Sequence, residues 1–294
     1  MITALHRGVG RHVTLTLFFL WFNPADAQTT LPITGDDIEV DVYGRIVVLD
    51  GSRNTLRLFN SEGQLEREVG GSGWGDNEFD SPRAVWARNG IDVFVADYGN
   101  HRIQRFDRNL NFVASFTTRG SEDEKVRFGY PAGVALSRQG DLFLSDGENV
   151  RLVCVGGFSI VKWTFGGFDA GKGRTLAPAT VDVGPKDYVY VGDGTRVLIF
   201  DAFGGYVQTL GTFSPGVRVV AEMRYTVTVH NDSLNVHDEV NRWIGSITSV
   251  SMLSEPVKII DIAFSGDRAY VLTNTGVHII PNPVEALLQK NQEK

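Results

Sequence analysis

The sequence predicts an all-β fold, a six-bladed β-propeller with four antiparallel strands per blade, and three observations carry that prediction. Four segments share one layout: Gly35 to Asp50, Pro82 to Asp97, Pro131 to Asp146 and Pro178 to Asp193 each place an Asp 15 positions after an opening Gly or Pro. Those Asp residues recur at spacings of 47, 49 and 47, a period that marks a repeat architecture. Within each unit short apolar runs of period two alternate with polar turns, the pattern of strands and not of helices. The composition agrees: 42% hydrophobic residues suffice for a large core, and 33 Gly against 10 Pro speak for many tight turns.

Taken in order, residues 1–27 read as a secretory leader. A mildly basic start (His6, Arg7, Arg11, His12) precedes the apolar run from Leu15 to Phe22. The breaker Asn23-Pro24 and a small-x-small site, Ala25-Asp26-Ala27, follow. Cleavage near Ala27 predicts an exported chain, periplasmic or extracellular. Leader removal takes away Arg7, Arg11 and Asp26 and leaves 26 basic against 34 acidic residues, a net charge of −8. That charge argues against nucleic-acid and anionic-membrane partners. No later segment is apolar enough to cross a bilayer, so an integral membrane protein is not expected, and a monomer is. Cys154 is the single cysteine, set in a strand-like run, and reads as a small buried hydrophobe with no disulfide open to it.

The propeller spans 28–283. Its blades cover roughly 36–71, 79–120, 128–170, 176–212, 216–248 and 255–281. In blades 1 to 4 a strand ending at the recurring Asp is followed by a polar loop, a third strand such as Arg102 to Asp107, and a fourth such as Phe112 to Phe116. Blades 5 and 6 keep only the rhythm. Blade 6 has three strands before Pro281, so Thr29 to Ile33 is expected to supply its fourth by pairing with Gly276 to Ile280. Such closure leaves few free edges. Residues 284–294 form a tail that can make a short helix after Pro283.

The linker from Val69 to Pro82 (Gly-Gly-Ser-Gly-Trp-Gly, then Phe79, then Pro82) resembles the inter-blade signature of NHL repeats. Ala96-Asp97, Asn100, Arg102-Ile103 and Phe106 resemble their "AD-x-x-N-x-R-I-x-x-F" core. The resemblance covers Gly35 to Ile280 and implies the fold. Function it leaves open, because the family includes secreted lyases, RNA-binding and protein-binding modules. Peptidyl-hydroxyglycine lyases of similar architecture place zinc-binding His just after the blade-opening position. Here the matching residues are Asp36, Arg83, Ala132 and Ala179, with Val217 or Arg218 and Ile259 in the weaker blades, and none is His. His101 is expected to brace its own loop, and His237 and His278 fall on third strands, far from the channel.

Four residues after each opening position stand Glu39, Trp86, Ala135 and Asp182, with Asp261 equivalent in blade 6. Acids there must be hydrated, paired with Arg83 or Arg218, or bound to a cation. Glu39, Asp182 and Asp261 are therefore the candidate metal ligands, and a divalent cation such as Ca2+ in the channel is the one cofactor the sequence leaves room for. Gluconolactonase-like propellers hold a divalent ion in this way. The alternating acids Asp36, Asp37, Glu39 and Asp41 are expected to line a solvated face. No nucleophile–base set appears, and the Gly-rich stretches read as turns. The sequence thus favours a non-catalytic exported scaffold that grips a protein, peptide or glycan through one loop face, with Trp74, Arg83, Trp86 and Arg218 as binding candidates. The alternative is a metal-dependent lyase or lactonase that uses the channel carboxylates.

Overall fold

A computed structural model describes residues 29–292. The leader assigned to 1–27 lies outside the described residues. Six four-stranded antiparallel sheets stand around a central channel. Blade 1 comprises Asp37–Val40, Ile46–Asp50, Thr55–Phe59 and Leu65–Gly70 from the axis outward, and blade 2 comprises Ala84–Trp86, Asp92–Asp97, Arg102–Asp107 and Phe112–Phe116. Blades 3, 4 and 5 repeat this order from Pro131–Leu136, Pro178–Val183 and Arg218–Ala221.

Blade 6 is assembled from both ends of the chain. Its three C-terminal strands, Ile259–Ser265, Arg268–Thr273 and Val277–Pro281, are completed by Thr29–Leu31. The pairing is antiparallel, with Thr29 opposite Ile279 and Leu31 opposite Val277. Pro32 falls just beyond the strand, where its missing N–H interrupts no ladder bond. Gly276 is required at this joint: its φ is +151°, and a Cβ there would come within 2.4 Å of the Leu31 carbonyl oxygen. The tail forms a helix, Pro283–Gln292, whose Leu287 and Leu288 pack on the core shared by blades 5 and 6.

Apolar side chains sandwiched between neighbouring blades make the core. One cluster runs across blades 2, 3 and 4 and includes Phe94, Phe128, Phe143 and the fully buried Cys154. Another joins blade 1 to blade 6 through Ile38, Val48, Ala263 and Leu272, which closes the ring.

In blades 2 to 4 the recurring Asp acts as a clasp, whereas Asp50 of blade 1 accepts from Ser52 Oγ and Arg53 N of its own turn. Asp97 ends a second strand, and its carboxylate accepts the backbone N–H of Asp80 (2.8 Å), Asn100 Nδ2 (2.9 Å) and Arg102 Nε (2.7 Å). Asp146 takes Gly129 N, Asn149 Nδ2 and Arg151 Nε, and Asp193 takes Leu176 N, Ala177 N and Arg196 Nε. Each clasp ties the end of one blade's second strand to the linker entering that blade. In blades 2 to 4 the recurring Asp therefore has a physical cause: a buried carboxylate accepts from backbone amides of the linker.

Candidate binding site at the channel mouth

Antiparallel topology puts the loops that enter the innermost strands on one end of the ring, together with the loops between second and third strands. On that end the channel opens into a cavity of about 440 Å³, with Asp36, Asp37, Glu39, Arg83, Arg88 and Arg218 among its lining. The expected solvated face is overturned here. Asp37, Glu39 and Asp41 are all buried, Glu39 with 7% exposure, because the strand is innermost and six strands crowd the axis.

Two arginines neutralise the buried acids. Arg218 Nη1 donates to Asp37 Oδ1 at 2.7 Å and to Asp261 Oδ2 at 3.3 Å, and its Nη2 donates to the Asp36 carbonyl at 2.6 Å. Deeper in the channel, Arg88 Nε donates to Glu39 Oε2 at 2.9 Å, and its Nη1 lies 2.9 Å from Asp182 Oδ2. Glu39 and Asp182 do meet across the ring, with Arg88 between them. The pairing expected from Arg218 is present. That expected from Arg83 is made instead by Arg88, because Arg83 stands at the lip with its guanidinium 3.5 Å above the Tyr98 ring. Backbone amides also donate to these carboxylates across blade boundaries: Val85 N to Asp37, Ile38 N to Asp261 and Ala221 N to Asp182.

Burial decides the protonation of these groups. Removal from water pushes Glu39 up to about 8 against the pull of Arg88, with Asp182 adding repulsion. Burial likewise raises Asp37 and Asp182 despite Arg218 and Arg88, and it raises Glu222 at the other end of the channel. Both guanidiniums are held charged by the surrounding acids. Around neutral pH a Glu39 proton is thus retained in much of the population. Among the described residues no group of three or more His, Cys, Asp or Glu is arranged to hold a metal ion. Glu39, Asp182 and Asp261, the candidate ligands, are engaged by guanidinium groups.

The binding candidates occupy three different positions. Trp74 is 65% exposed in the linker between blades 1 and 2. That linker is shaped by Arg102, which donates to the carbonyls of Trp74, Gly75 and Glu78, each at 2.9 Å. Arg83 and Arg218 lie at the mouth, whereas Trp86 is buried against Phe94. The loop with Tyr98 continues the array: Tyr98 packs on Tyr130, and Tyr130 packs on His101 with centroids 4.0 Å apart. His101 braces its loop as expected, its Nδ1 accepting from Tyr130 N at 3.2 Å. Phe168, 76% exposed under Arg174, belongs to the linker entering blade 4 on the same end. Arg88 was the functional residue that the repeat alignment missed. It stands six positions after Pro82, two beyond the aligned channel position and past the end of Ala84–Trp86, where the repeat gives no sign of its partners in blades 1 and 4.

Arg88 also lines a second cavity of about 680 Å³ at the opposite mouth, with Val42, Trp86, Pro185 and Met223, so its side chain separates the two. No helix among the described residues is long and apolar enough to cross a membrane.

No family model matches the chain. Over 141 residues, 46% of its length, the chain is 29% identical to Protein brain tumor of Drosophila melanogaster, and the match spans 13% of that protein. Among solved structures it is similar to a catalytically inactive virginiamycin B lyase from Staphylococcus aureus in complex with quinupristin, with a TM-score of 0.59 at 11% identity over 87% of this chain and 99% of that one. A streptogramin B lyase has the same TM-score at 8% identity over 87% and 98%. Hydrazine synthase from Kuenenia stuttgartiensis reaches 0.55 at 12% identity over 83% and 74%. At these identities the likeness is one of fold.

Proposed function

We propose that the chain is an exported, non-catalytic propeller of NHL type that holds a protein or peptide partner on the linker end of the ring. One observation carries the reading: the open cavity with Arg83, Arg218 and Asp36 at its lip is flanked, on the same end, by exposed Trp74, Tyr130 and Phe168. Trp, Tyr and Arg are the residue types that dominate interface energetics, and here they stand around a concave centre on loops that a rigid ring holds in place. The Arg102 bonds that shape the Trp74 loop limit the ordering cost of binding.

The experiment compares baits incubated with extract from the native envelope. Wild-type protein and a Met223→Ala control, altered at the opposite mouth, are expected to retain the same partner. Trp74→Ala combined with Arg83→Ala is expected to lose it. Identical capture by all three would refute the assignment of the face.

A second reading, a metal-dependent lyase or lactonase, draws on the proton-bearing Glu39 inside a cavity. Metal analysis of the purified chain separates the two: a stoichiometric divalent ion lost in Glu39→Gln favours the enzyme.

A further inference from the structure

The boundary between blades 4 and 5 departs from the others in a systematic way. In blades 1, 2 and 4 the third strand carries a buried Phe opposite the start of the fourth: Phe59 against Leu65, Phe106 against Phe112 and Phe200 against Tyr206. Blade 3 has Val155 against Val161 at the same register. Blade 5 puts His237 there, opposite Trp243. On the second strand the partner of this residue is Ile46, Val93, Leu142 or Val189 in blades 1 to 4, and Thr226 in blade 5. Two positions further along, Val48, Val95, Leu144 and Val191 are replaced by Thr228, and the clasp Asp is replaced by His230. Cross-strand partners share a face, so the middle of this face of blade 5 is polar at Thr226, Thr228 and His237, while Val219 and Ala221 of its inner strand still pack against blade 4. The opposite face, with Val227, Val229, Leu234 and Val236, packs normally toward blade 6.

The polar face borders a groove of about 580 Å³ between the outer strands, lined by Gln208 and Phe213 from the blade 4 side and by Asn235, His237, Asn241 and Trp243 from blade 5. His237 is 5% exposed, yet its Nδ1 has no hydrogen-bond partner. Thr228 Oγ1, on the same face, is also unpartnered but fully buried behind the groove and not part of its lining. The His237 nitrogen, which does line the groove, calls for an occupant that supplies the missing bond. Ser246 donates to Asn235 Oδ1 at 2.6 Å and Tyr190 to Asn241 Oδ1 at 3.2 Å, which commits both carbonyls and leaves the amide NH2 groups as donors. Trp243 is 63% exposed at the rim. None of the residues lining the groove is Asp, Glu, Lys or Arg.

We propose that this groove is a binding site for a neutral oligosaccharide, with Trp243 lying against the C–H face of a sugar ring while His237 and the amides of Gln208 and Asn235 exchange hydrogen bonds with its hydroxyls. A hydroxyl both donates and accepts, and amides and a neutral imidazole do the same. Burial lowers the affinity of His237 for a second proton and keeps it neutral, in agreement with that role. A phosphorylated, sulfated or carboxylated ligand would call for Arg or Lys, and the groove has neither. The apolar body of the indole supplies contact area at little entropy cost. The site is separate from the channel mouth and stands whether or not a protein partner binds there.

The test is calorimetric and fluorescence titration of the purified chain with maltotriose, cellotriose and chitotriose. At least one is expected to bind saturably with a tryptophan signal. Affinity should fall at least tenfold both in Trp243→Ala and in His237→Phe. The second variant restores the side chain found in blades 1, 2 and 4, so its melting temperature is expected to match or exceed that of the parent. Arg83→Ala should bind the sugar unchanged. The proposal is overturned if none of the three binds, if both groove variants bind as well as the parent, or if a sulfated disaccharide binds in place of the neutral ones.

Discussion

Glu39 shows at the scale of a single residue how burial and pairing set a titration. Its carboxyl is raised by burial, so the stability linked to its proton is fully present below the ordinary glutamate range and is lost as pH climbs toward and past about 8. Replacement by Gln keeps the shape and removes the titration. The gap in melting temperature between Glu39→Gln and the parent is therefore expected to move in favour of the variant from pH 5 to pH 9, by roughly 2–4 kcal/mol, or about 5–10 °C. Thermal melts across that range decide it, and a gap that does not change with pH would show that Glu39 keeps an ordinary pKa. The carboxylates themselves were legible in the sequence because they stand at a fixed offset in the repeat. Their partner was not. Arg88 reaches Glu39 of blade 1 and Asp182 of blade 4 from blade 2, and such a meeting depends on the width of the ring, which no spacing along the chain encodes.

At the scale of the element, the closing strand is the clearest case. Thr29–Leu31 forms only three residues of ladder, but it covers the edge of Val277–Pro281, and Ile33 just after it is buried in the core between blades 1 and 6. Burying an isoleucine contributes roughly 1.5–3 kcal/mol, and each ladder bond adds about 1. Deletion of residues 28–34 is expected to lower the melting temperature by at least several degrees and to promote aggregation through the exposed edge. A truncated chain that melts with the parent would place ring closure elsewhere. This strand was readable by elimination: blade 6 lacked a fourth strand, and one β-branched segment stood unassigned. The acidic inner strand of blade 1 was misread, because alternation alone does not tell a wet face from a crowded axis. Period two is the same in both, and only the position of the strand in the ring distinguishes them.

Across the whole molecule the ring is uneven. Blades 2, 3 and 4 share one large apolar cluster and the Asp–Arg clasps, whereas the boundary between blades 4 and 5 has a small cluster around Tyr190, Val219 and Leu210 beside a polar groove. The decay of the repeat in blade 5, visible in the sequence as a loss of motif, is in the structure a change of surface chemistry. The pairing of Thr29 with Ile279 joins residues 250 positions apart, whereas the other ladders among the described residues pair strands consecutive in sequence. In kinetic terms that pairing is a late event: its loop entropy is met only once the last blade exists, and local hairpins form far sooner. A nascent chain of this protein can build five blades in order of synthesis, but its first strand has to wait, unpaired, for its last one.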